Sequence, residues 1–133
     1  MPSPKTSAKV AIPRRNMATP DPFVAVRAHC LAIDGITERL SHGSPAFFTR
    51  GTASRSGPCF ARCLDDHHGD GVLGLWLAAP PGAQQALVAC DESGFFVPPY
   101  VGGRGWIGVR LDRSLPRDEV ADLLDVAHAC VAT

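Results

Sequence analysis

The sequence predicts an α+β domain, an antiparallel β-sheet with helices packed on one face in the order α-β-β-β-α-β-β-α. Three observations point to it. Amphipathic helical stripes stand at both ends of the folded part, short apolar runs between them alternate with Gly-, Pro- and Asp-rich turns, and the connecting loops are short. Strands joined by short loops pair antiparallel in sequence order, and a sheet with one apolar face must lay it against something, here the terminal helices.

TPDPFVAVRAHCLAIDG opens the domain. Asp21 is placed to cap a helix whose first position is Pro22, and Gly35 to end it in a left-handed conformation. Phe23, Val26, Cys30 and Ile33 recur at helical spacing and give a core-facing stripe. After ITERLSHG, SPAFFTR reads as a strand, GTASRSG as a turn, PCFARCL as a second strand, DDHHGDG as a turn and VLGLWLA as a third strand. PPGAQQALVAC is rich in Ala, Gln and Leu and reads as a short helix starting at or just after Pro81. FFV, halted by Pro98 and Pro99, and WIGVRLD are the last strands. SLPRDEVADLLDVAHACV is the final helix, with Val120, Leu123, Leu124, Ala127 and Val131 on one stripe and Asp118, Asp122 and Asp125 on another. Asp118 and Glu119 also suit the positive end of its dipole.

A chain of 133 residues is one domain's worth. Apolar residues at 45% and charged residues at 20% exclude the disordered and fibrous classes. The longest apolar run, VLGLWLAA, is far shorter than the roughly 20 residues a spanning helix needs, and no apolar segment follows the first basic residues as a secretory signal requires. Five cysteines, an odd number, suit a reducing compartment, so the expected location is cytoplasmic; a monomer is expected, though no single residue pattern specifies it. Lys5, Lys9, Arg14 and Arg15 precede any acid, leaving 13 − 4 = 9 basic against 13 acidic residues from Met17 onward. A globally basic nucleic-acid binder looks different. Residues 1–18 read as a disordered tail, or as sequence upstream of a start at Met17, and 19–133 as a single domain.

Four motifs invite chemistry. GRGWIG at 103–108 fits G-x-G-x-x-G, but the dinucleotide fingerprint needs a strand before the glycines and a helix after them. Here prolines precede, and Trp106, Gly108 and Arg110 alternate with Ile107, Val109 and Leu111 as a strand does. Cys59, Cys63, His67 and His68 are zinc-ligand types, yet on a strand Cys59 and Cys63 share a face at roughly 13 Å separation, about 3.3 Å per residue, too far for one ion. DDHHGDG lacks the ligand positions of a calcium loop. Ser41, His42 and Ser44 lack a nucleophile elbow, and Glu38 and His42 have i, i+4 spacing if their segment is helical. No catalytic set, cofactor or metal site is therefore expected.

LAIDGITE, HGSPAFF, CFARCL and YVGGRGWIGVRLD followed by LPRDEVADLL together resemble the MmcQ/YjbR family of small bacterial proteins, over about residues 22–131. The resemblance implies a CyaY-like α+β fold and a DNA-binding role through paired hairpins. Two departures count against carrying that role over: Val126, Ala127 and His128 stand where a Ser-Tyr is more usual, and no Lys follows residue 9.

Two functional expectations follow, from different classes. In the first, DNA is held weakly and salt-sensitively by an arginine stripe of Arg50, Arg55, Arg62, Arg104 and Arg110 beside an exposed Trp106. In the second, a pocket between the sheet and helix one, lined by His42, Phe47, Trp76 and Trp106, takes a small ligand or a protein partner.

Overall fold

The first helix starts at Val24 with Phe23 at its N-cap, two residues later than Asp21 and Pro22 predict; Asp21 Oδ1 accepts the Phe23 N–H at 2.9 Å in the turn before it. The computed structural model describes residues 21–51, 57–113 and 115–131. The first helix, α1, is Val24–Leu31, and it buries Val26 and Cys30 as the stripe predicts. Gly35 takes its positive φ of 84° in the turn that follows, not at the helix end itself.

The next segment is the main departure from expectation. Thr37–Ser41 is a strand, β1, paired antiparallel with β2, Ser44–Phe48. His42 and Gly43 join them with φ of 54° and 83°, the double left-handed geometry of a type I′ hairpin turn, whose twist matches that of paired strands. The helical option for Glu38 and His42 is thereby excluded. Then come β3 (Cys59–Asp65), β4 (Leu73–Leu77), α2 (Ala83–Cys90), β5 (Phe95–Phe96), β6 (Ile107–Arg110) and α3 (Arg117–Val131). The six strands form one antiparallel sheet in the order β1-β2-β3-β4-β6-β5. The architecture is the predicted α+β arrangement with one strand more.

Register assigns the two faces, because residues opposite one another in an antiparallel ladder point the same way and alternate along each strand. Phe47, Ala61, Leu77 and Ile107 form one row, and Cys63, Leu75 and Val109 another. All are buried with Val26 and Cys30 of α1 and Leu124 and Ala127 of α3. This is the core between sheet and terminal helices, where each fully buried Leu or Phe contributes roughly 1.5–3 kcal/mol. Arg27 clips α1 to the sheet: its Nε donates to Glu38 at 3.0 Å and its Nη1 to Asp21 at 2.7 Å. His29 on α1 contacts Asp125 on α3 at 2.7 Å.

One irregularity changes the expected geometry. Phe47 opposes Ala61 but Phe48 opposes Cys59, so Phe60 is the extra residue of a bulge. Phe60 reaches α3, its ring 5.4 Å from that of His128, and the alternation breaks before it. Cys59 and Cys63 therefore do not share a face, contrary to the simple spacing argument. Among the described residues no helix is long and apolar enough to cross a membrane, and no three His, Cys, Asp or Glu side chains converge as metal ligands would. The expected tail over residues 1–18 lies outside the described residues.

Candidate functional site

The sheet face turned away from α1 and α3 carries Ala46, Arg62, Trp76 and Gly108 in one row, with Gly74 and Arg110 in the next. Phe96 pairs with Gly108, and its ring lies so close that a side chain on Gly108 would overlap it. The segment from Val97 to Trp106 then folds back across this face. It contains a 3-10 turn at Gly102–Arg104, ended by Gly105 at a φ of 85°. Gln84 of α2 secures it, donating from Nε2 to the Gly102 carbonyl at 2.9 Å and to the Trp106 carbonyl at 2.6 Å. GRGWIG thus spans a turn and a strand, with no helix after it to receive a pyrophosphate.

Between this segment and the β1–β3 end of the sheet is a groove of about 920 Å³, within the size range of small-molecule sites. Arg62, Arg104, His42, His67 and His68 line it together with Ser41, Cys59, Tyr100 and Trp106, and none of the described lining residues is acidic. Both guanidinium groups are stacked on indoles: Arg62 is 5.2 Å from the Trp76 ring centroid and Arg104 is 5.3 Å from that of Trp106. Arg62 also donates from Nη2 to the Ser41 carbonyl at 3.3 Å. Stacking on a π-face holds each cation without neutralising it.

Two details set the groove apart from an ordinary solvated surface. Arg62 Nε and His67 Nε2 are the buried side-chain polar atoms that lack a hydrogen-bond partner among the described residues, and such atoms each carry a desolvation cost that a bound ligand would relieve. The described non-glycine residues with positive φ are His42, Asp66, His68 and Tyr100. Three of these line the groove and Asp66 immediately precedes His67. Residues held in this region cost free energy and cluster at functional sites.

Burial holds the His67 imidazole below its ordinary pKa, helped by the neighbouring His68 and Arg62 and opposed by Asp70. Burial raises the Cys59 thiol in turn, against Arg62 and Arg104, and Cys59 donates to the Ala61 carbonyl at 3.4 Å. The groove thus favours the neutral form of His67 and the thiol form of Cys59.

Of the residues proposed for a DNA stripe, Arg62, Arg104 and Trp106 converge on the groove. Trp106 is buried, at 5% exposure, and is not an exposed stacking platform. Its indole faces the groove beneath Arg104 because Gln84 and the 3-10 turn fold the backbone over it. Arg50 lies elsewhere, ion-paired to Asp34. Arg110 shares the outer face with Arg62 but is bound to Asp112 at 3.1 and 3.0 Å, and Arg55 lies outside the described residues. Of the pocket residues, His42 lines the groove, whereas Trp76 is fully buried beneath Arg62 and His67, whose ring is 5.0 Å away, and does not line it. Phe47 is fully buried on the helix side, so the groove is on the sheet face opposite helix one. A separate cavity of about 650 Å³ between α1 and α3 contains none of the three. His67, His68, Tyr100 and Ser41 had no sequence signal for this site, since only the fold brings these distant segments together.

A family model described as YjbR matches residues 31–130. In structure the chain is similar to the crystal structure of the Deinococcus radiodurans protein DR2400, a DUF419 domain, with a TM-score of 0.68 and 21% identity. That match covers 81% of this chain and 76% of the other, and at such identity it speaks to the fold alone. No curated protein matches the chain.

Proposed function

The chain belongs to the YjbR family, whose model spans most of its length, and from that premise we propose that it is a binding module for small anionic ligands, which it takes into the groove on the outer sheet face. The observation that carries this reading is the convergence of Arg62 and Arg104 with His42, His67 and His68 around one concavity with no carboxylate among its described lining residues. Cations gathered in a partly dehydrated cleft attract anions more strongly than the same charges spread over a surface. Their stacking on Trp76 and Trp106 fixes the guanidinium groups before any ligand arrives, which lowers the entropic cost of binding.

What favours binding over catalysis is the state of the groove's nucleophile. The Cys59 thiol is pushed up by burial, the reverse of an activated thiolate. A DNA-contact role is the second reading, favoured by Arg62 and Arg110 sharing a face and by Tyr100, 77% exposed at the groove rim. The carboxylates on Arg50 and Arg110 weaken it.

The test is thermal unfolding and calorimetry against sulfate, inorganic phosphate, a nucleoside monophosphate, acetate and a short DNA duplex. At a hundredfold excess over Kd, a bound anion stabilises the fold by about 2.7 kcal/mol. Arg62→Gln and Arg104→Gln should each abolish that shift, whereas Arg113→Gln should leave it. If no oxyanion raises Tm, or if both groove variants respond as the parent does, the reading fails. Duplex binding that falls steeply with salt and survives Arg62→Gln would favour the arginine surface instead.

A further inference from the structure

We infer that the groove's ligand carries a doubly charged tetrahedral oxyanion, of sulfate or phosphate-ester type, and that His67 takes up a proton when it binds. This rests on the groove being an anion site and adds which anion it takes and how pH controls it.

The argument begins with the two orphan nitrogens. Arg62 Nε and His67 Nε2 are both buried and unpartnered, and both side chains stand against the same Trp76 ring, at 5.2 and 5.0 Å. Both side chains line the groove, so a ligand group that displaces them slightly from their buried positions can meet both nitrogens. A planar carboxylate has two oxygens and one charge; a tetrahedral dianion offers oxygens in several directions, enough for Arg62, His67 and Arg104, which lines the same groove. Arg62 and Arg104 bring two fixed positive charges to the groove, which two negative charges match best.

Protonation follows from what surrounds His67. His68 and Asp70 belong to its own turn, Arg62 faces it from β3, Trp76 from β4 and Tyr100 from the covering segment, the last with ring centroids 6.1 Å apart. Asp66 is occupied, its Oδ1 accepting the Gly71 N–H at 2.7 Å. Asp65, opposite Leu73 in the ladder, is in the row of the helix-side residues. In the empty groove burial, His68 and Arg62 together outweigh Asp70, and His67 stays neutral. A dianion between Arg62 and His67 reverses the local balance: it cancels the repulsion from Arg62 and His68 and rewards a second N–H on the ring. The bound state then holds one more proton than the free state, so affinity rises as pH falls, and it levels off below the free histidine's lowered pKa.

The probe is sulfate, which stays fully ionised between about pH 5.5 and 8 where histidines titrate, so any pH dependence belongs to the protein. Calorimetry in two buffers of different ionisation enthalpy is expected to show proton uptake approaching one per sulfate and an affinity gain of up to about tenfold per pH unit. His67→Gln should bind sulfate with a pH dependence and proton uptake sharply reduced, while His29→Gln, on α1 outside the groove, should keep them. Acetate should bind more weakly than sulfate at every pH. Circular dichroism of each variant confirms that it is folded. Sulfate binding that depends on Arg62 but is flat with pH, or that takes up its proton equally well in His67→Gln, overturns the inference and leaves the groove reading standing. Absence of sulfate binding by the parent at any pH overturns both.

Discussion

Gly108, the last glycine of GRGWIG, supplies a sharp test of the architecture through Gly108→Ala. An ideal Cβ there would sit 2.3, 2.4 and 2.6 Å from Cε2, Cζ and Cδ2 of Phe96, well inside the roughly 3.5–4.0 Å at which carbon atoms make favourable contact. The ring of Phe96 must swing away, and that ring also lies against Gly74, where a Cβ would be 3.4 Å from its Cζ. Forcing a methyl group into such a contact costs about 1–3 kcal/mol. The loss of glycine's backbone freedom returns about 0.5–1 kcal/mol. The two ranges leave a net destabilisation of about 0–2.5 kcal/mol, or a Tm lower by at most roughly 10–20 °C for a domain near this size. Urea unfolding of the parent, Gly108→Ala, Phe96→Ala and the double variant measures it. In the Phe96→Ala background the alanine should cost almost nothing, giving a coupling of about 1 kcal/mol or more between neighbours. A Gly108→Ala variant equally destabilised in both backgrounds, with no coupling to Phe96, would refute the packing.

Gln84→Leu removes both hydrogen bonds to the Gly102 and Trp106 carbonyls, so urea unfolding should show a loss of about 1–3 kcal/mol, and the anion-dependent Tm shift should weaken as the covering segment loosens. Arg27→Met should cost about 1 kcal/mol, discounted because the side chain is 31% exposed, with Glu38→Gln costing less; denaturation of the two variants checks the order. Cys30 and Cys63 are buried with thiols pushed up to about 12, while Cys90 and Cys130 are exposed; mass spectrometry after brief alkylation near pH 8 should find Cys90 and Cys130 modified and Cys30 and Cys63 protected until the chain unfolds. The Arg110 guanidinium holds the Asp112 carboxyl below the usual carboxylate range. Its stabilising contribution is therefore complete above the unfolded value of about 3.9 and is lost as pH falls through the lower folded value, and Arg110→Gln should move the Asp112 titration upward when followed by NMR.

The strands and helices that touch the core were legible because their patterns match what burial demands. The stripes of α1 and α3 and the apolar runs of β2, β3 and β4 all face the shared core. Thr37–Ser41 was not legible, for a physical reason. It is an edge strand, and edge strands carry charges that discourage further pairing. Glu38 points toward the helices yet is polar because Arg27 meets it there, and Leu40 is 71% exposed, so the usual inside-outside alternation is inverted. The groove was harder still. His42 and Trp106 were recognised as ligand-facing types, but the bulge at Phe60 that sends Cys59 to the outer face, and the fold-back that covers Trp106, depend on register and tertiary hydrogen bonds. Arg50 and Arg110 look like free cations in the sequence, and only their placement beside Asp34 and Asp112 removes them from the count.

The central claim, that the outer sheet face holds an anion site, is tested most directly by NMR titration of the isotope-labelled chain with sulfate at slightly acidic pH. Saturable chemical-shift changes are expected at the Arg62 and Arg104 side-chain N–H groups, the Trp106 indole, the backbone of His67 to His68 and Tyr100 to Gly105 and the Val131 end of α3, with α1 silent. Shifts confined to the helical face, or spread evenly over the surface without saturation, would contradict it.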